Sequence, residues 1–159
     1  YLKTNNNKPS TIPVIIPPKP ITVPTLKNIE NVVIYDNAAA AAVDLTKWDS
    51  VETLFLVRDA NTTGYDLGEK VTTVNFEDIA ANQELTFNAA LTAATVGVNN
   101  VITNVSGAVT VKVDGTALKT LTVDASGKAS NVTLTQAAIE TLNITGKANL
   151  TLDASSTLT

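Results

Sequence analysis

Residues 139–152 read Ile-Glu-Thr-Leu-Asn-Ile-Thr-Gly-Lys-Ala-Asn-Leu-Thr-Leu (IETLNITGKANLTL). Apolar residues stand at Leu142 and Ile144, then at Leu150 and Leu152, with polar residues between them. This is the period-two pattern of two short strands, each with one buried face. Taken alone, the stretch is a β-hairpin closed around Gly146-Lys147. If the phrase recurs at a fixed interval, it is one coil of something longer.

It recurs. An apolar residue, a polar pair and an alternating apolar run begin at Ile29, Val51, Val71, Val98, Leu118 and Ile139. Four of the five steps between these starts are nearly equal, and the step from Val71 to Val98 is longer. A second short strand follows each first one, at Val43–Leu45, Tyr65–Leu67, Leu85–Phe87, Val109–Val113, Val132–Leu134 and Leu150–Leu152. Its offset from the start of the first strand is 14 in four units and 11 in two.

A repeat of about 20 residues carrying two short strands is the coil of a β-solenoid. Equivalent strands then stack in parallel about 4.8 Å apart, with Val, Leu and Ile inward and Thr, Asn, Glu and Lys outward. The expected fold is all-β, a parallel β-solenoid of about six coils of roughly 20 residues. A β-sandwich is the alternative, since it also places strands every 8–12 residues or so. It has no reason to hold a constant offset of 14.

Three stretches interrupt the pattern. Asn37–Ala42 reads as a small-residue loop or helical turn, Phe76–Asn82 as one turn bulging from a coil. Asn88–Thr95, inside the long step, reads as an inserted loop or short helix. All six prolines lie at or before Pro24. Proline fixes φ and lacks a donor, so residues 1–24 should run extended, as a linker or N-terminal arm that covers an edge. Residues 25–159 form the repeat domain. The opening residues have no signal pattern and resemble the interior of a longer protein.

Composition narrows the function classes. The chain has 159 residues and net charge −4, with ten Lys, one Arg (Arg58), no His, no Cys and no Met. Phosphate binding needs clustered Arg and Lys, so nucleic acid is not an expected partner. Disulfides and Cys/His zinc sites are excluded, as is imidazole or thiolate chemistry. No apolar run is long enough for a transmembrane helix. A polysaccharide lyase would need clustered Asp, Lys and Arg, and a glycosidase two carboxylates across a cleft. No catalytic residues are expected, and the chain reads as a non-enzyme.

The candidate sites are acidic. Asp59, Asn61 and Thr63, followed by Gly64 and Asp66, resemble the first half of a calcium loop, where alternate oxygens converge on the ion. A bidentate Glu at the closing position is missing: Lys70 stands there, with Glu69 next to it. The alternative is an Asp/Asn/Gly turn between coils. Asp44, Asp124 and Asp153 recur with Asp66 near second strands or corners, either as stacked ligands for Ca²⁺ between coils or as turn caps. Glu30, Glu52 and Glu140 share one repeat position and read as a solvated row. Trp48 and Tyr65 read as corner packing before a sugar platform. Five N-x-S/T triplets (Asn61, Asn104, Asn131, Asn143, Asn149) are expected by chance in so Thr- and Asn-rich a chain.

The phrases LKNIENVVI, VDLTKWDSVETLFL, LKTLTVDAS and IETLNITGKANLTLDASS carry a resemblance. Over residues 26–159 the chain resembles the β-solenoid parts of type-I-secreted bacterial surface-layer proteins and related RTX adhesins. That family's calcium nonapeptide, GGxGxDxUx, does not occur in this sequence. The resemblance implies a secreted, extracellular protein of the bacterial cell surface that self-assembles into a coat, with Ca²⁺ promoting lattice contacts. It implies as partners further copies, continuation of the same polypeptide, or cell-surface polysaccharide. A stalk or binding module of a secreted adhesin is the alternative role.

Overall fold

A computed structural model describes residues 11–16, 25–36, 42–136 and 139–155. Asn37–Ala41, most of the expected small-residue loop, lies outside the described residues.

The alternating runs form strands, and the strands pair from turn to turn. One sheet runs β1 (Thr11–Ile16), β2 (Asn31–Asp36), β4 (Thr53–Val57), β6 (Thr73–Glu77), β8 (Ala93–Asn99), β10 (Thr120–Ala125), β12 (Thr141–Gly146). The other runs β3 (Val43–Asp44), β5 (Tyr65–Asp66), β7 (Gln83–Thr86), β9 (Val109–Asp114), β11 (Ser130–Gln136), β13 (Leu150–Ser155). Every pairing is parallel. The chain alternates between the sheets, so it is an all-β solenoid of about five turns at a spacing near 22 residues. A sandwich of hairpins would pair neighbouring strands antiparallel.

Inward side chains make continuous ladders. Val32, Leu54, Val74, Val96, Val123 and Ile144 occupy one column. Ile34, Leu56, Phe76, Val98, Ala125 and Gly146 occupy the next, and its side chains shrink after Phe76. All but the last turn are buried. Burying one such aliphatic side chain contributes about 1.5–3 kcal/mol, so the ladders carry the stability.

Two corner devices recur. A tight turn precedes the first strand of a coil, closed by Val51 N–H to Trp48 O (3.3 Å), Val71 to Gly68 (3.1 Å), Leu91 to Asn88 (3.0 Å) and Leu118 to Gly115 (3.1 Å). A left-handed residue follows the strand: Arg58 (φ 52°), Asp78 (54°), Asn100 (57°) and Gly127 (62°). That conformation bends the chain toward the second sheet, and Asn, Asp and Gly tolerate it.

The repeat register differs from expectation in the middle. The first three and last two first strands pair as their phrases predict, but the fourth is Ala93–Asn99, not Val98–Thr103. Val74 faces Val96, which is an ordinary step, and Val96 faces Val123, which is the long one. The long step therefore falls one turn later, and its extra residues form the loop after β8. There Ser106 N–H donates to Thr103 O, and Val105 is 88% exposed. Asn88–Thr95 is a turn and the start of β8, not an insertion or a helix. Phe76–Asn82 is likewise not helical, because Asp78 takes up the left-handed bend by itself.

Thr11–Ile16 of the proline-rich arm adds to β2 in register, Pro13 opposite Val33. Proline is tolerated because β1 is an edge strand.

Candidate functional site

Asp59, Asn61 and Thr63 sit in the connection between β4 and β5, behind the left-handed Arg58. Asp59 and Asn61 are buried. Asp59 Oδ1 accepts from the Asn61 N–H (2.7 Å), and Asp59 Oδ2 accepts from the Tyr65 hydroxyl. Asn61 Oδ1 accepts from the Thr63 N–H (2.8 Å) and the Thr63 hydroxyl (2.6 Å), while its Nδ2 donates to Gly64 O (3.3 Å). Gln83 Nε2 donates to Asp59 O from the next turn (3.3 Å). These side-chain oxygens stand in for backbone partners in two successive Asx-type turns. Buried polar groups left unpaired cost about 1–3 kcal/mol each, which is why the network is nearly complete.

Asp66 is not part of that cluster. Tyr65 points inward, so its neighbour Asp66 points outward from the second sheet. There it meets Asp44, its register partner on the previous turn. The column continues through Thr86 to Asp114. With Thr46, Asn88 and Thr116 these residues line an open groove of about 430 Å³. The Thr46 hydroxyl (2.5 Å) and N–H (2.9 Å) donate to Asp44 Oδ1 and hold the carboxyl below its usual pKa. Asp114 pairs with Lys112 Nζ at 2.8 Å, and Glu84 pairs with the same ammonium at 2.6 Å. Hydrogen bonds to Asp114 and then Glu84 raise the lysine's pKa.

Asp124 and Asp153 lie elsewhere. Asp124 is on the outer face of the first sheet, where its Oδ1 accepts from the Thr145 hydroxyl (2.7 Å). Asp153 is on the second sheet in register with Thr133. Of the recurring aspartates the structure thus stacks Asp44 with Asp66, and adds Asp114. Its phrase, Val113-Asp114-Gly115-Thr116, repeats Val43-Asp44-Leu45-Thr46 and was a usable signal. Aligning the fourth unit on Val109 instead of Val113 concealed it, since Leu85 pairs with Val113.

Among the described residues no three His, Cys, Asp or Glu side chains come close enough together to hold a metal ion. Trp48 and Tyr65 are 0% and 1% exposed, so neither offers a sugar platform. Asn61 is equally buried, while Asn104, Asn143 and Asn149 are exposed. No helix of the described residues is long and apolar enough to cross a membrane. The groove is an open surface lined by carboxylates and hydroxyls. Comparison with protein-family models, with curated proteins and with solved structures finds no match to this chain.

Proposed function

We propose that the chain is a structural segment of a bacterial cell-surface layer, secreted and self-assembling, with Ca²⁺ as the ion that promotes its contacts. The observation that carries this reading is the build of the molecule: a parallel rod made by repetition, its ladders aliphatic within and its outer columns rich in Thr, Asn and carboxylates. Such a surface repeats the same groups about every 4.8 Å along the axis, which suits lattice contacts. Catalysis is no part of the reading. Asp44 and Asp66, register partners in the groove, are where an oxygen-seeking cation would bridge the rod to a neighbour whose own oxygens complete its shell.

Electron microscopy of purified protein with and without Ca²⁺ tests this. Ordered sheets that form with Ca²⁺ and dissolve with EGTA are expected. Single rods under both conditions would favour the stalk of a secreted adhesin. Neither assembly nor thermal midpoint responding to EGTA removes calcium from the reading.

A further inference from the structure

Chance accounts for the number of Asn-x-Ser/Thr triplets in this chain, but the solenoid sorts them. Such a triplet accepts a sugar only where a transferase can reach the asparagine amide and where the hydroxyl two places on is free to polarise it. A triplet held in a ladder cannot be gripped without unpairing its strand.

Four of the five triplets fail on one of these counts. Asn61 is buried; its Nδ2 donates to Gly64 O (3.3 Å) and its Oδ1 accepts from the Thr63 hydroxyl (2.6 Å). Asn131 lies in β11, with Val132 buried beside it, and its Nδ2 donates to Ser106 O (3.2 Å). Asn143 is paired in β12 opposite Thr122, and the hydroxyl of its triplet, on Thr145, donates to Asp124 Oδ1 (2.7 Å). Asn149 O accepts from the Ser130 N–H (3.0 Å), and Leu150 and Thr151 are paired in β13 with Ser130 and Asn131.

Asn104-Val105-Ser106 meets every condition. It is the crest of the loop after β8, which holds the extra residues of the long step between Val96 and Val123. All three residues are exposed, Val105 by 88%. The backbone beneath them is fixed. Ser106 N–H donates to Thr103 O (2.9 Å), Thr103 N–H to Gly107 O (3.0 Å) and Gly107 N–H to Thr103 Oγ1 (2.7 Å). Asn104 and Val105 are therefore the central residues of a tight turn. Ser106, at φ 62°, bends the chain back toward β9. Among the described residues no hydrogen bond of this loop uses the Asn104 amide or the Ser106 hydroxyl. A bulky group on Asn104 disturbs no ladder, because the loop belongs to neither sheet. Insertions of this kind are where a solenoid carries what its coils do not need.

We propose that Asn104 is a glycosylation site, taking an N-linked sugar from a donor activated on a phosphate. Asn104 Nδ2 forms a bond to the anomeric carbon as that carbon's bond to the phosphate oxygen breaks. The phosphate leaves with the electron pair, and the amide gives one proton to a base of the transferase. The attached sugar shields Val105, the most exposed large apolar side chain among the described residues. The site stands apart from the surface-layer reading, since it asks only that this loop face solvent.

Mass spectrometry of the chain isolated from the cells that make it tests the site. Trypsin releases residues 71–112 as one peptide, and Asn104 heads the only such triplet in it. That peptide should carry the mass of one or more sugars, placed on Asn104 by electron-transfer fragmentation. A single sugar or a short ladder of them marks a nucleotide-linked donor, and one fixed oligosaccharide a lipid-linked donor. Asn104→Gln and Ser106→Ala, each with native circular dichroism, should both abolish the addition. An unmodified 71–112 peptide overturns the proposal. So does a sugar that persists in the Ser106→Ala chain, or one found on Asn61 or Asn131 with Asn104 bare.

Discussion

Gly146 lies directly beyond Ala125, one turn further along the solenoid, and its φ is +99°. A Cβ built there would overlap the Ala125 backbone, carbonyl oxygen and nitrogen together. Gly97 is the contrast: its φ is ordinary, and an added Cβ would meet the end of the Asn75 side chain, which can swing aside. Gly146→Ala should cost about 2 kcal/mol or more, and Gly97→Ala less than about 1 kcal/mol. Urea unfolding of the two variants checks the order; equal losses would remove the backbone argument.

Arg58 is the residue least suited to its place. It takes the same left-handed bend as Asp78, Asn100 and Gly127, at φ 52°. A long side chain costs about 1 kcal/mol there. Its ion pair with Asp78 spans 3.9 Å and its side chain is 74% exposed, so the pair returns little. Arg58→Asn should raise stability by about 0.5 kcal/mol, read as a higher thermal midpoint. A lower midpoint would mean the ion pair outweighs the bend.

The buried turn around Asp59 should be sensitive to loss of one hydroxyl. Tyr65→Phe keeps the ring in its ladder and removes the donor to Asp59 Oδ2. A loss of about 1–3 kcal/mol is expected. Trp48, fully buried nearby in sequence, reports the unfolding: its emission should be blue-shifted in the native state and move red on denaturation. A native spectrum typical of exposed indole would contradict its packing.

Asp44 gives a pH prediction with a definite sign. Its folded pKa is depressed, chiefly by the Thr46 hydroxyl and then by the Thr46 N–H. A depressed carboxylate contributes stability above its unfolded pKa, about 3.9, and loses it as pH falls through the lower folded value. Thr46→Val should move the Asp44 titration upward in an NMR pH series. No movement would mean that the N–H alone sets it.

What was legible in the sequence was the local alternation. Runs such as Leu54-Phe-Leu56 and Leu142-Asn-Ile144 fix which side chains face inward, and their recurrence fixes a parallel stack. The pattern leaves register open to slips of two places. A one-place slip turns every side chain over, but a two-place slip leaves the same face inward. That ambiguity, a slip of four places from Val113 to Val109, kept Asp114 out of the Asp44–Asp66 column; Val98-Asn-Asn-Val101, with a buried valine on either side of the Asn100 bend, mimics the phrase five places late, which hid the pairing of Val74 with Val96 and moved the long step by one turn. The calcium-like spacing of Asp59, Asn61, Thr63 and Asp66 likewise does not say which way each residue points. Strand alternation sends Asp66 to the outer groove, while the Arg58 bend brings Asp59 and Asn61 inside. The sequence alone determined a repeating parallel solenoid, because inward and outward residues are encoded one by one. Only the tertiary structure decided which polar groups meet, because that depends on pairings between separate turns of the solenoid, far apart along the chain.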